Sequence, residues 1–179
     1  MKIGKRIAIG GIFSSLSIIA MFLSGIFPFA EYTCPAVAGI LLIPIVFEIN
    51  KTTSYIAYIV VSVLSLLITP NKEAVALFIG FLGYYPILKS NLEQLKSRFL
   101  EWFLKILIFN ITVISTYLIL IYVLSNPEIL SEFNNTFKYG ALIFLLIANV
   151  VFVVYDFALT RIAFMYDNVI RPKIKRIKF

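Results

Sequence analysis

The chain of 179 residues is 61% hydrophobic and only 14% charged, with a mean hydropathy of +0.97, where soluble domains run nearer to about 45–50% apolar and about 25% charged. That balance excludes an ordinary water-soluble domain, because several apolar runs pass the roughly 18 residues at which a buried core helix gives way to a membrane span. Sixteen Lys/Arg against nine Asp/Glu give +7, with no His and with Cys34 as the one cysteine, so an intrachain disulfide and imidazole chemistry are both excluded.

In chain order, the first apolar run covers 7–27, is stopped by Pro28 and spans about 31 Å, enough to cross the hydrocarbon core. Basic residues precede it as in a signal peptide, but its length and the lack of a small-x-small cleavage site favour a retained anchor. The second and least regular span is expected over 35–47, extended by Glu48, with Pro44 kinking its inner end. The third covers 54–68, stopped by Thr69-Pro70-Asn71, and the fourth covers 74–88 with Gly80, Gly83 and Pro86 inside it. The fifth runs over 102–124 to Ser125-Asn126-Pro127. The sixth, 139–165, is longer than a crossing needs and is expected to tilt or protrude. The expectation is a single all-α membrane domain over 1–179, a bundle of six transmembrane helices.

Six crossings put both termini on one side, and the basic residues say which. Lys2, Lys5, Arg6, Lys51, Lys89, Lys96, Arg98, Lys105, Arg161 and the tail 171–179 share a face that holds fourteen of the sixteen Lys/Arg. Only Lys72 and Lys138 fall opposite, so the positive-inside rule places both termini in the cytoplasm of a multi-pass cell-membrane protein. The surplus charge then serves insertion first and attraction to anionic lipid second, with no nucleic-acid partner expected.

Several polar residues fall inside the spans. Gly4, Ala8, Gly11 and Ser15 recur at gaps of four, three and four, beside a row of Gly10, Ser14 and Ser17, so one broad face of the first helix lacks bulk. Small faces let helices approach closely in lipid, and spacing leaves open whether the neighbour is another span or a separate subunit. Thr52, Tyr55, Tyr58, Ser62, Ser65 and Thr69 stripe the third span, facing either packed protein or a lined cavity. Asn110, Asn149 and Asp156 should point inward, because facing lipid would cost them water without giving a partner. By helical rise Asn149 lies about 16 Å below the outer end and Asp156 about 27 Å. The first can bind a ligand or clamp two helices, and the second is expected to pair with a neighbouring Lys or Arg. Glu48, beside Asn50 and Lys51, is expected in an interfacial ion pair.

Between the fourth and fifth spans, Leu88, Leu92, Leu95, Phe99, Trp102 and Ile106 keep helical spacing while Lys89, Glu93, Lys96 and Arg98 take other sides. An amphipathic cytoplasmic helix is expected over 88–101, lying on the inner leaflet or docking a partner. Outside, Glu31-Tyr32, Asn71-Lys72-Glu73 and the stretch 126–139 can meet an extracellular ligand, and an anionic ligand would need Lys72 and Lys138. Without His there is no Ser-His dyad or HExxH zinc site, and no Walker motif is present. No catalytic residue, metal site or cofactor is expected, and the chain reads as a protein that binds, moves or assembles something.

In its length, six spans, inward termini, small first-helix face and long last span, the chain resembles the substrate-binding S components of energy-coupling-factor (ECF) vitamin transporters. That family often carries Ala-x-x-x-Ala on its first helix for docking on a transmembrane coupling subunit. The matching stretch here is Ala8-Ile9-Gly10-Gly11-Ile12-Phe13-Ser14-Ser15, with Gly and Ser substituting. The resemblance implies a bacterial plasma-membrane capture subunit that binds a vitamin or related micronutrient from outside and docks through Ala8, Gly11 and Ser15 on a coupling subunit with two ATPases. It implies a substrate site under the first outer loop involving Glu31, Asn71, Lys72, Tyr117, Lys138 and Asn149. The alternative is a small integral-membrane assembly or accessory protein without a ligand site.

Overall fold

The computed structural model describes residues 3–27, 30–124 and 140–172, and among them every regular element is helical. Helix α1, Ile3–Leu23, is followed by α2, Thr33–Ile40, and α3, Ile43–Glu48. Helix α4, Lys51–Ile68, opens where the Asn50 side chain accepts from the Thr53 N–H at 2.7 Å, and it ends at Thr69, just before Pro70. Helix α5, Lys72–Leu77, opens in the same way, with Asn71 accepting from the Ala74 N–H at 2.9 Å. Asparagine suits both starts because its side-chain oxygen satisfies one of the orphan donors of a first turn.

From α5 the chain passes through a π-helical turn, Phe78–Leu82, into α6, Tyr85–Leu92, whose first turn holds Pro86, where a missing N–H costs no helical bond. Helix α7 is Arg98–Leu124, and α8, Gly140–Met165, continues into a second π turn, Tyr166–Ile170.

Five helical stretches are long and apolar enough to cross a membrane: Ile3–Leu23, Lys51–Ile68, Lys72–Leu92, Arg98–Ile119 and Ile143–Ile170. The sixth expected crossing is the shorter pair α2–α3 over Thr33–Glu48. Its break is at Leu41 and Leu42, where the Leu42 N–H turns back to the Gly39 carbonyl at 3.1 Å. Pro44 therefore opens α3 and does not bend the end of a continuous span. Ile56, Ile59, Val63 and Leu67 on α4, and Val150, Val154 and Phe157 on α8, turn their apolar side chains outward. Such a surface belongs in lipid, and the chain is a multi-pass membrane protein by the length and composition of its helices.

Two cores lie inside. Met21, Ala38, Leu42, Ile45, Val61 and Phe78 join α1 through α5. The second core is aromatic: Phe109 and Phe152 stack with centroids 4.5 Å apart, Phe81 and Tyr85 stack at 4.5 Å, and the Phe81 ring meets Phe109 edge-on at 5.1 Å. Offset and edge-on pairs satisfy the ring quadrupoles, so this core fixes α6, α7 and α8 more tightly than area burial alone.

The contacts also sort the connections into two ends. At one, Asn71 Nδ2 donates to Glu31 Oε1 at 2.9 Å, and Gly25 lies so near Pro70 that a Cβ there would come within 2.8 Å of its ring. At the other, Lys51 Nζ donates to Asn91 Oδ1, Arg171 Nη2 donates to the Phe47 carbonyl at 3.1 Å, and Arg171 pairs with Glu48 at 3.3 Å. Although short, α2–α3 thus runs from the Asn71 end to the Arg171 end. Lys72 is the one described Lys or Arg that sits at the Asn71 end.

Candidate functional site

At the Asn71 end an open cleft of about 460 Å³ is bounded by residues 24–27 at the close of α1, by Glu31, and by Pro70 and Asn71 between α4 and α5. It forms because α1 unwinds before α2 begins, while Pro70 ends α4 at the same level. The Glu31–Asn71 bond ties its two walls together. Beside it, the half-exposed Tyr32 lies within hydrogen-bonding reach of Tyr117 and Glu73. Burial, then the Glu73 carboxylate, hold the Tyr32 phenol above its ordinary value, since both disfavour a second negative charge there.

The residues expected to hold a substrate are only partly assembled. Glu31 and Asn71 meet in the cleft, and Tyr117 is linked to that end through Tyr32 and packs edge-on against Phe144 at 5.2 Å. Lys72 turns away: its ammonium donates to the Leu66 and Thr69 carbonyls at 2.8 and 3.0 Å, closing the C-terminus of α4. A cation at a helix C-terminus complements both the orphan carbonyls and the dipole, which leaves this lysine committed within the fold. Lys138 lies outside the described residues. Asn149 faces Asn110 in a reciprocal amide pair, each Nδ2 donating to the other's Oδ1 at 3.0 Å. The remaining N–H of each amide reaches a carbonyl of its own helix, Ile106 or Leu145, at 2.8 Å. Of the two roles open to Asn149, the geometry displays the clamp between α7 and α8.

The small-residue face of α1 divides in two. Ser17 is buried and donates to the Ala38 carbonyl at 2.8 Å, and Gly10 approaches Ile49. Gly4, Ala8, Gly11 and Ser15 are exposed, and a Cβ at Gly4 or Gly11 would meet nothing within 4 Å. The second row therefore packs on α2 and α3, and the row with Ala8, Gly11 and Ser15 stays open to the membrane. Ser65 on α4 and Thr69 just past its end are buried with no partner for their hydroxyls among the described residues, and Tyr58 donates to the Ile79 carbonyl at 2.7 Å within the π turn.

Towards the Arg171 end lies a cluster that was only half visible in the sequence. The Asp156 carboxylate receives Lys89 on Oδ1 and Lys105 on Oδ2, the second at 3.2 Å, and the Tyr85 hydroxyl also donates to Oδ1. Lys89 and Lys105 reach onward to Glu93 and Glu101 at 3.0 and 2.7 Å, and Asp156, Lys89 and Lys105 are all buried. Asp156 thus makes the cationic pairing expected of it. The partners explain a departure from expectation over 88–101: one continuous helix would hold Lys89 and Lys105 about 24 Å apart. Instead α6 ends at Leu92, α7 opens at Arg98 with the Ser97 hydroxyl accepting from the Leu100 N–H, and the intervening turn brings both lysines to one carboxylate. Glu48 makes its ion pair with Arg171, which the π turn at 166–170 and Asp167 hold in place, and not with neighbouring Lys51. No group of three metal-ligating side chains occurs among the described residues.

Comparison with protein-family models, curated proteins and solved structures finds no match.

Proposed function

We propose that the chain crosses the plasma membrane six times with both termini in the cytoplasm and captures a small micronutrient from the outer side, as the S component of an ECF-type transporter does. The observation that carries this reading is the double use of α1. The turn that closes it, residues 24–27, walls the outer cleft, and its Gly4, Ala8, Gly11 and Ser15 row lies open below. A capture subunit needs a ligand site joined rigidly to a surface on which a coupling subunit can close, and one helix supplies both. The short, broken α2–α3 supplies the sixth crossing, and the gathering of basic residues at the Arg171 end supports a cytoplasmic location for that end. ATP hydrolysis belongs on this reading to partner ATPases, and the chain itself catalyses nothing.

A second reading, an assembly or accessory protein without a ligand, draws support from the Asn110–Asn149 pair and the stacked aromatic core, which fill the middle of the bundle. Mass spectrometry of small molecules retained by the purified protein separates the two. A stoichiometric micronutrient supports capture, and its absence, together with loss of co-purifying membrane partners in Gly11→Leu, supports assembly.

A further inference from the structure

The carboxylates at the Arg171 end are all committed. Of the nine Asp/Glu in the chain, Glu31 and Glu73 belong to the Asn71 end. Glu128 and Glu132 lie outside the described residues, in the connection between Leu124 and Gly140, the ends of α7 and α8 remote from Lys105 and Asp156. The other five turn onto three cations: Glu93, Glu101 and Asp156 onto Lys89 and Lys105, and Glu48 and Asp167 onto Arg171. The tail 173–179 contains no Asp or Glu. Lys96 and Arg98, exposed at the turn between α6 and α7, therefore have no carboxylate partner among the described residues.

The backbone at this turn is asymmetric in the same sense. The carbonyls of Lys89, Asn91 and Leu92 accept from the N–H groups of Glu93, Gln94 and Leu95 at 3.0–3.2 Å, and that of Ser90 accepts from Gln94 Nε2 at 2.9 Å and from Lys51 Nζ at 3.3 Å. The end of α6 is thus closed. Across the turn, the N–H groups of Arg98 and Phe99 open α7 without an acceptor among the described residues, at the positive end of a helix of 27 residues. The carbonyls left over in 93–96 are neutral and stand in an exposed turn, so the ionised Lys96 and Arg98 set the sign of a partner. Apolar surface begins at the same place. Phe99 is 83% exposed, and Phe103, Leu107, Ile111 and Ile114 continue its outward face along α7 at gaps of four, four, four and three. Trp102, the one tryptophan of the chain, lies within the first turns of that helix, as suits the level where hydrocarbon meets headgroups.

We infer that this turn seats an anionic phospholipid, with its phosphate on Lys96, Arg98 and the first N–H groups of α7 and an acyl chain along the Phe99 face. The guanidinium of Arg98 matches a phosphodiester in two parallel hydrogen bonds, and the apolar face covers the chain that the phosphate carries. A free phosphate would use the cations and leave Phe99 in water. The seat requires that the chain is embedded in a bilayer and is independent of whether the outer cleft holds a ligand.

The test is native mass spectrometry of the purified full chain in neutral detergent, titrated with phosphatidylglycerol or with phosphatidylcholine of the same acyl chains. The parent should retain phosphatidylglycerol in preference. The double substitution Lys96→Gln/Arg98→Gln should weaken that retention by about tenfold or more, with an unchanged melting curve, since neither side chain is bonded within the fold. Phe99→Ala should weaken it less. Lys5→Gln/Arg6→Gln, which removes equal charge from the same end, should leave it within about twofold of the parent, and excess glycerol 3-phosphate should not displace the lipid. Equal retention of the two lipids by the parent, or a preference that survives Lys96→Gln/Arg98→Gln, overturns the assignment. Equal losses in the two double variants would show diffuse attraction without a seat, and displacement by glycerol 3-phosphate would show a site for a free anion. Either result also overturns it.

Discussion

Lys89 and Lys105 come from different helices and share the single carboxylate of Asp156, one on each oxygen. Removing one member of a buried ion cluster leaves the rest uncompensated, at a cost of about 3–5 kcal/mol. Asp156→Asn should approach that loss, because it strands two buried ammonium groups. Tyr85→Phe removes one hydrogen bond to the carboxylate and should cost about 1.5–3 kcal/mol. Lys105→Met should fall below Asp156→Asn, since Lys89 still neutralises the aspartate. Thermal or denaturant unfolding in detergent gives the order, and an Asp156→Asn protein as stable as the parent would show that the cluster does not form.

The Asn110–Asn149 pair makes a separate prediction about where ligand binding does not occur. Each single alanine substitution should destabilise by about 1 kcal/mol, and the double substitution should cost less than the sum, with a coupling near 0.6 and at most about 1.7 kcal/mol. Binding of any ligand retained at the outer cleft should be unaffected. Loss of binding in Asn149→Ala at unchanged stability would return this residue to the ligand site that the sequence resemblance implied.

These two pairs show what could be read along the chain and what could not. Local chemistry marked the helix boundaries: Thr69-Pro70-Asn71 ends α4 and starts α5 by rules confined to a few residues, and the asparagine caps act within one turn. Depth along a helix is likewise local, so the cost of an unpaired Asp156 was visible before its partners were. The identities of Lys89 and Lys105 were hidden, because spacing alone suited an amphipathic helix over 88–101, and the two lysines meet only across the turn that divides it, at Asp156 of α8. Helical spacing also grouped Gly4, Ala8, Gly11 and Ser15 with Gly10, Ser14 and Ser17. Only the placement of α2 and α3 decides that the second row is covered while the first is open. The role of Lys72 was misleading for a related reason: an outward cation looks available to a ligand until the carbonyls that end α4 claim it.

Gly39 and Gly11 sharpen that distinction into opposite mutational outcomes. A Cβ on Gly39 would collide with the Leu82 carbonyl oxygen, a backbone atom that cannot swing aside. Gly39→Ala should therefore force α2 away from the π turn and cost about 1–3 kcal/mol. A Cβ at Gly11 meets nothing within 4 Å among the described residues, so Gly11→Leu should leave the melting temperature of the purified protein near that of the parent. If the open row docks a coupling subunit, the same substitution should abolish co-purification of that subunit while retaining ligand. Strong destabilisation by Gly11→Leu would assign the row to packing within the chain.

The proposed orientation, which rests on the division of charge between the two ends, is open to direct labelling. Ile26 is exposed at the Asn71 end, and Phe99 is 83% exposed beside Lys96 and Arg98 at the other. Translocating a cluster of Lys and Arg is disfavoured during insertion, and on the proposed reading the end rich in them stays in the cytoplasm. In a Cys34→Ser background, a membrane-impermeant maleimide added to intact cells should modify Ile26→Cys and leave Phe99→Cys untouched until the cells are opened. Phe99 also projects apolar surface at the level where basic side chains meet anionic headgroups. The Phe99→Cys adduct should therefore form more slowly in vesicles of anionic lipid than in detergent. Labelling of Phe99→Cys from outside would invert the bundle, place the outer cleft in the cytoplasm and remove uptake as its purpose.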